Sequence, residues 1–210
     1  MLLWINGPFG GGKTQTAHEI RRRLPGSFVS DPEHVGFALR RMTPPALRTD
    51  FQHLAAWRLG VVEVLDRALR GHPGVVVVPM TVVEPAYFRE VVGGLRDRGH
   101  DVRHFALLAD RETVARRLRE RELVHTARNA LGGNAPRLGQ SAAHRALDRC
   151  LERLRGPEFA ERVWTDHLSV AQVADRVAAS AGLVLTPNTD GRLRGAGGGG
   201  WSSVKHIRFD

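Results

Sequence analysis

A layered α/β fold, with helices on both faces of a parallel sheet of about five strands, is predicted for this chain by three observations. Short apolar runs alternate with stretches of helical composition along its 210 residues. The first run, Leu2-Leu3-Trp4-Ile5, leads straight into a glycine-rich turn and then a helical stretch. The strongest run, Val75-Val76-Val77-Val78, is unbroken, as expected of a strand buried on both faces.

The elements then follow in order. Thr14 to Leu24 reads as a helix stopped by Pro25-Gly26. Ser27 to Ser30 is a second short strand that ends at Asp31. Helices are expected near 33–42 and 50–70, separated by Thr43-Pro44-Pro45. Val75 to Val78, bounded by Gly74 and Pro79, is the third strand. A helix over 84–98 tolerates Pro85 in its first turn. Val102 to Leu108 is the fourth strand, and Asp110 caps a helix running to about Glu122. The pattern breaks over 123–139, where Gly132-Gly133-Asn134 and Pro136 fall. Helical periodicity returns over 141–155, Arg162-Val163-Trp164 offers a fifth strand, and a last helix is expected over 169–181. One domain therefore spans 1–185. The stretch 186–210, with its run Gly195–Gly200, cannot hold regular structure cheaply and reads as a flexible C-terminal tail.

Composition narrows the function. Hydrophobic residues at 42% and charged residues at 25% describe a globular chain. The lone Cys150 excludes a disulfide framework and argues against structural zinc. No apolar run reaches the ~18 residues of a membrane span, and the start is not that of a signal peptide, so a cytoplasmic location is expected. The net charge of +9 is spread along the chain as arginine interleaved with Asp and Glu, which does not single out nucleic acid as a partner.

The turn Gly7-Pro8-Phe9-Gly10-Gly11-Gly12-Lys13-Thr14 matches G-x-x-x-x-G-K-[ST], between a strand and a helix as that motif requires. Gly7, Gly10, Gly11 and Gly12 let backbone N–H groups surround a phosphate, Lys13 reaches its outer oxygens, Thr14 offers a hydroxyl to Mg²⁺, and Gln15 joins the set from the first helical turn. Lys13 and Lys205 are the only lysines among many arginines, so the ammonium at this position answers a local demand. ATP and Mg²⁺ are the expected ligands.

A P-loop fixes the nucleotide and not the reaction. The strand Val75–Val78 ends in Pro79-Met80-Thr81, without the aspartate usual in P-loop motors. Asp31 instead stands at the end of the second strand, where the ligand crevice of an open α/β sheet lies. A carboxylate there can take a proton from an attacking hydroxyl. Asp31-Pro32-Glu33 is also a good helix start, and Glu33 is the rival carboxylate.

The segments WINGPFGGGKTQTAHEI, FVSDPEHVGFALR, FQHLAAWR and VVVVPMT together resemble the tunicamycin-resistance ATP-binding protein family, over about Met1 to Arg121 and again around Asp148-Arg149-Cys150. The resemblance implies a kinase-like P-loop fold similar to shikimate and nucleotide kinases, ATP binding, and resistance to a nucleoside antibiotic such as tunicamycin. It also implies membrane contact through a C-terminal segment, from which the glycine-rich tail departs. It places Asp31 before the acceptor, Met80 and Thr81 on the floor between donor and acceptor, and Arg58 where an acidic or phosphorylated acceptor would bind. In kinases of this kind a lid supplies arginines to the transferring phosphoryl group. The segment 123–139 suits a lid, with Arg121, Arg117 and then Arg128 as its candidate arginines. Thr165-Asp166 falls where such kinases border the adenine.

The expected activity is ATP- and Mg²⁺-dependent phosphoryl transfer to a hydroxyl of a small molecule, with resistance to a nucleoside antibiotic as the role the resemblance implies. The alternatives are an ATP-binding protein that sequesters the drug unmodified, and a nucleotide or nucleic-acid end kinase, which predicts salt-sensitive binding to oligonucleotides. The sequence leaves the oligomeric state open.

Overall fold

The computed structural model describes residues 1–129, 140–159 and 161–188, with side chains described outside 121–129 and 140–146. Five parallel strands form one sheet in the order β2-β3-β1-β4-β5. They are β1 (Leu2–Asn6), β2 (Phe28–Val29), β3 (Val76–Pro79), β4 (Val102–Leu108) and β5 (Arg162–Trp164). The central strand β1 has every residue buried. Its side chains alternate between two cores, as the period of a strand requires. Leu2 and Trp4 join Val76, Val78, Ala106 and Leu108 on one face. Leu3 and Ile5 join Val77, Phe105, Leu107 and Val163 on the other.

Helices cover both faces. Helix α1 (Lys13–Arg23) and α8 (Val170–Ser180) seal the second core with Ala17, Ile20, Val173 and Val177. The first core is closed by α3 (Ala55–Gly71), by α4 (Pro85–Phe88) with its continuation, by α6 (Arg111–Asn129) and by α7 (Gln140–Arg153). Helix α2 (Glu33–Met42) follows Asp31. Every parallel connection brings the carboxyl end of a strand to the same rim of the sheet, so the segments after β1, β2, β3, β4 and β5 share one edge.

Several expectations shift. The helix expected from Asp50 begins as a 3₁₀ turn, Phe51–His53, with the Asp50 carboxylate accepting from Gln52 N at 3.0 Å, and α3 proper starts at Ala55. The helix expected over 84–98 changes winding, passing from α4 through a π turn at Arg89–Gly93 into α5 (Gly94–Asp97). Helix α6 does not stop near Glu122 but continues to Asn129, so the expected lid begins inside a helix. Residues 130–139 lie outside those described. The expected tail does not leave the body at Thr186. Arg23 Nε donates to Thr186 O at 2.7 Å, Thr186 N donates back to Arg23 O at 2.8 Å, and Asn188 Oδ1 accepts from Arg22 at 2.8 Å. The rest of the tail, 189–210, lies outside the described residues. Among the described residues no helix is long and apolar enough to cross a membrane.

One buried titratable group sets a pH dependence. His104 on β4 is wedged between Phe88 and Phe159, with ring centroids at 4.7 and 5.8 Å. Burial, helped by the charge of Arg96, pushes its pKa down to about 3. The unfolded chain takes up this proton below about pH 6.5, while the folded chain resists it until about pH 3. This contribution to stability is therefore full above pH 6.5 and is lost as pH falls through that window. Between pH 7 and 5, wild type is expected to lose about 2 kcal/mol more unfolding free energy than His104→Phe. Equal pH slopes in denaturant titrations would show that His104 is not the group responsible.

Candidate active site

The site grows from the end of β1. The turn Gly7–Thr14 closes on itself through Pro8 O, which accepts from Gly11 N at 2.9 Å and from Lys13 Nζ at 3.0 Å. Gly12 and Gly7 show what the geometry demands. Gly12 starts α1 at φ 89°, a left-handed conformation that other residues resist. A Cβ on Gly7 would lie 2.9 Å from Leu107 O, inside contact distance. Lys13 is only 9% exposed, with its ammonium 5.5 Å from the Phe9 ring centroid. Helix α1 carries no acidic residue in its first turn and Arg21, Arg22 and Arg23 in its last. Its positive N-terminal dipole is thus left for an anion, as a phosphate would use it. Thr14 is exposed beside Lys13, and Gln15 is half-buried. Tight turn, buried ammonium, open hydroxyl and free helix pole together fit a nucleotide polyphosphate with Mg²⁺.

Asn6 anchors the loop from below, a role the sequence did not reveal. Its Oδ1 accepts from Gly7 N at 2.9 Å and from Val82 N at 3.0 Å, and its Nδ2 donates to Val82 O at 2.7 Å. Thr81 adds a second clamp by donating its hydroxyl to Gly7 O at 2.7 Å. Together they lock the segment after β3 to the phosphate loop. Met80 is buried directly before it, its N–H donating to Ile5 O at 3.0 Å. Asn6→Leu would strand the buried N–H groups of Gly7 and Val82. A loss of about 2–4 kcal/mol in chemical denaturation is expected, together with weaker nucleotide binding. A stability unchanged from wild type would show that the clamp is dispensable.

Asp31 follows β2 at the same rim. Its Oδ1 accepts from Glu33 N at 2.9 Å, which closes the turn leading into α2, whose N-cap is Pro32. The field of Asp31 also reaches His18 on α1. Burial and then Arg21 lower the pKa of His18, and Asp31 opposes them. Trp57 Nε1 holds the same turn by donating to Pro32 O at 3.0 Å. Glu33 is half-buried beside it.

The arginines are placed differently from one another. Arg58 donates to Glu90 at 2.5 Å and to Gln52 O at 2.6 Å, and lies 4.4 Å from the Tyr87 ring centroid. Gln52 in turn donates to Thr81 O at 3.0 Å, so Arg58 reaches the phosphate loop through two intermediaries. Arg117 is buried on α6 and donates to Thr165 Oγ1 at 3.0 Å and to Thr165 O at 2.7 Å. Its pKa is lowered, chiefly by burial. It ties α6 to the segment after β5, where Asp166 Oδ1 accepts from Asp110 N at 2.8 Å. Arg121 and Arg128 lie on the same helix, but their side chains fall outside the described residues. Cys150 on α7 is buried, which raises its thiol pKa to about 11 against the opposing charge of Lys13. It stays protonated and poorly nucleophilic. Asp148 pairs with Arg111 at 2.6 Å, joining α7 to α6.

The comparisons agree with this geometry. The family described as an AAA domain matches residues 2–135. The tunicamycin resistance protein of Deinococcus radiodurans is 38% identical, with a TM-score of 0.71 over 89% of this chain and 98% of that one. A sugar kinase from a Janibacter species has a TM-score of 0.56 at 16% identity, covering 87% and 94% of the two chains. The APS kinase of Mycobacterium tuberculosis, solved with AMPPNP and APS, has a TM-score of 0.53 at 17% identity, covering 86% and 96%. The last two share the fold alone. No curated protein matches the chain. With its five-stranded parallel sheet, its phosphate loop and this likeness, the chain belongs to the AAA domain family of P-loop proteins and, within the kinase-like fold, to the tunicamycin-resistance family.

Proposed function

We propose that this protein transfers the γ-phosphoryl group of ATP to a hydroxyl of a small molecule, and that the acceptor is a nucleoside antibiotic of the tunicamycin type. One observation carries the reading. The buried Lys13 ends a closed glycine loop at the carboxyl end of the central strand, and Asp31 stands at the end of β2 on the same rim. The loop amides and Lys13 would bind the β- and γ-phosphates. Mg²⁺, held by Thr14, would neutralise charge on the phosphate oxygens.

Asp31 would receive the acceptor. Its bond to Glu33 N uses one oxygen and leaves acceptor capacity on the carboxylate. The acceptor oxygen then attacks phosphorus, its proton passes to Asp31, and the bond from phosphorus to the bridging oxygen breaks to release ADP. Glu33, Met80, Thr81 and Arg58 are assigned to the acceptor side. Arg121, one turn beyond Arg117 on α6, is assigned with Arg117 to the transferred charge, and Thr165-Asp166 to the border of the adenine. The likeness to a tunicamycin resistance protein supports the choice of acceptor.

The test is direct. Incubation with Mg-ATP and tunicamycin should add ~80 Da to the drug, one phosphoryl group. A saturable drug complex with no gain in mass would refute transfer in favour of sequestration.

A further inference from the structure

We propose that a second anion site lies away from the phosphate loop, at the far end of α2, and that it takes a phosphoryl group carried on an apolar body. A cleft of about 280 Å³ is lined there by Phe37, Arg40, Arg41 and Arg48. Three arginines and an aromatic ring thus share one open hollow.

The arrangement is not explained by the fold alone. Arg40 and Arg41 lie in the last turn of α2, where the negative helix pole favours them. That accounts for two cations at a helix end, but not for the third. Arg48 lies beyond the helix and is carried back by a turn stiffened by Pro44 and Pro45 and by a 3₁₀ turn at Pro45–Leu47. Its Nε donates to Thr43 O at 3.0 Å, and Thr43 is fixed in turn by donating its hydroxyl to Leu39 O at 2.8 Å. Among the described residues, none of the three arginines pairs with a carboxylate. No Asp or Glu occurs in the sequence between Glu33 and Asp50. Like charges in one hollow repel each other, and an anion relieves that repulsion.

The surroundings indicate what carries the anion. Phe37 is 49% exposed, and Met42 and Leu47, next to Arg41 and Arg48 in sequence, are 81% and 66% exposed. Arginine forks suit phosphoryl oxygens, and the adjacent ring and aliphatic side chains suit an apolar body. A free phosphorylated compound and the headgroup of an anionic lipid share this chemistry. The site does not depend on the phosphotransferase reading.

The experiment uses the full chain, saturated with a non-hydrolysable ATP analogue and Mg²⁺ so that the phosphate loop is filled. Inorganic pyrophosphate is titrated in by calorimetry, and co-sedimentation is measured with phosphatidylglycerol and with phosphatidylcholine vesicles. Binding to at least one phosphoryl probe is expected, weakened about tenfold or more in R40Q/R41Q and again in R48Q. Affinity for the ATP analogue should be unchanged in these surface variants. Pyrophosphate binding lost in the variants assigns a free phosphorylated ligand. Binding to phosphatidylglycerol vesicles alone, lost in the variants, assigns a lipid headgroup. Binding to neither probe, or binding that the variants leave intact, overturns the proposal.

Discussion

Lys13→Ala is expected to weaken nucleotide binding or turnover by about a hundredfold or more. The reasoning starts from what the ammonium does. It is buried to 9% exposure inside the phosphate loop, where it donates to Pro8 O. A bound polyphosphate would add charge-assisted bonds to that ammonium. Two charge-assisted bonds to phosphate oxygens, at about 1.5 kcal/mol or more each, give the expected size of the loss. The folded state should tolerate the change, because alanine suits the first turn of α1. Lys13→Arg is no rescue, since a planar fork does not fit a pocket built for a compact cation. Calorimetry with Mg-ATP and circular dichroism on the same sample separate loss of binding from loss of fold. Full affinity in the alanine variant would remove Lys13 from the site.

Asp31→Asn should keep ATP affinity and lower phosphoryl transfer by about 10²–10⁴-fold. The asparagine oxygen can still accept from Glu33 N, so the turn into α2 survives and only the proton acceptor is lost. Asp31→Ala removes both functions and should cost about 1 kcal/mol of stability besides. The pair of variants separates the two roles that the sequence left superimposed. If Asp31→Asn transfers phosphate at the wild-type rate, Asp31 only holds the turn before α2.

The legible part of this protein is the part written in contiguous residues. The phosphate loop is eight neighbours in a row, and its strand and helix flank it directly, so spacing alone locates it. The strands β1 and β3 were equally plain, because burial on both faces makes them nearly unbroken apolar runs, and β4 carries such a run over its second half. The capping box of the last helix is equally local, three residues apart. Its hydroxyl accepts from Gln172 N, and Gln172 returns the bond to Ser169 N.

What escaped depends on partners far away in sequence. Asn6 is an ordinary residue before a glycine until Val82, 76 positions on, arrives beside it. The pairing of Arg58 was not visible because Glu90 stands 32 positions off on another helix. The burial of Arg117, read as a lid arginine, was hidden because its contact, Thr165, follows the last strand 48 positions on. The π turn at Arg89–Gly93 and the extension of α6 to Asn129 are matters of helix winding and length that local composition does not fix.

The central claim is that this chain grips a nucleotide polyphosphate with the loop Gly7–Thr14. Titration of ATP into the full chain in magnesium buffer tests it most directly. The account predicts saturable heat at one site per chain, abolished by Lys13→Ala and competed by ADP. No heat with ATP, ADP or GTP would contradict it.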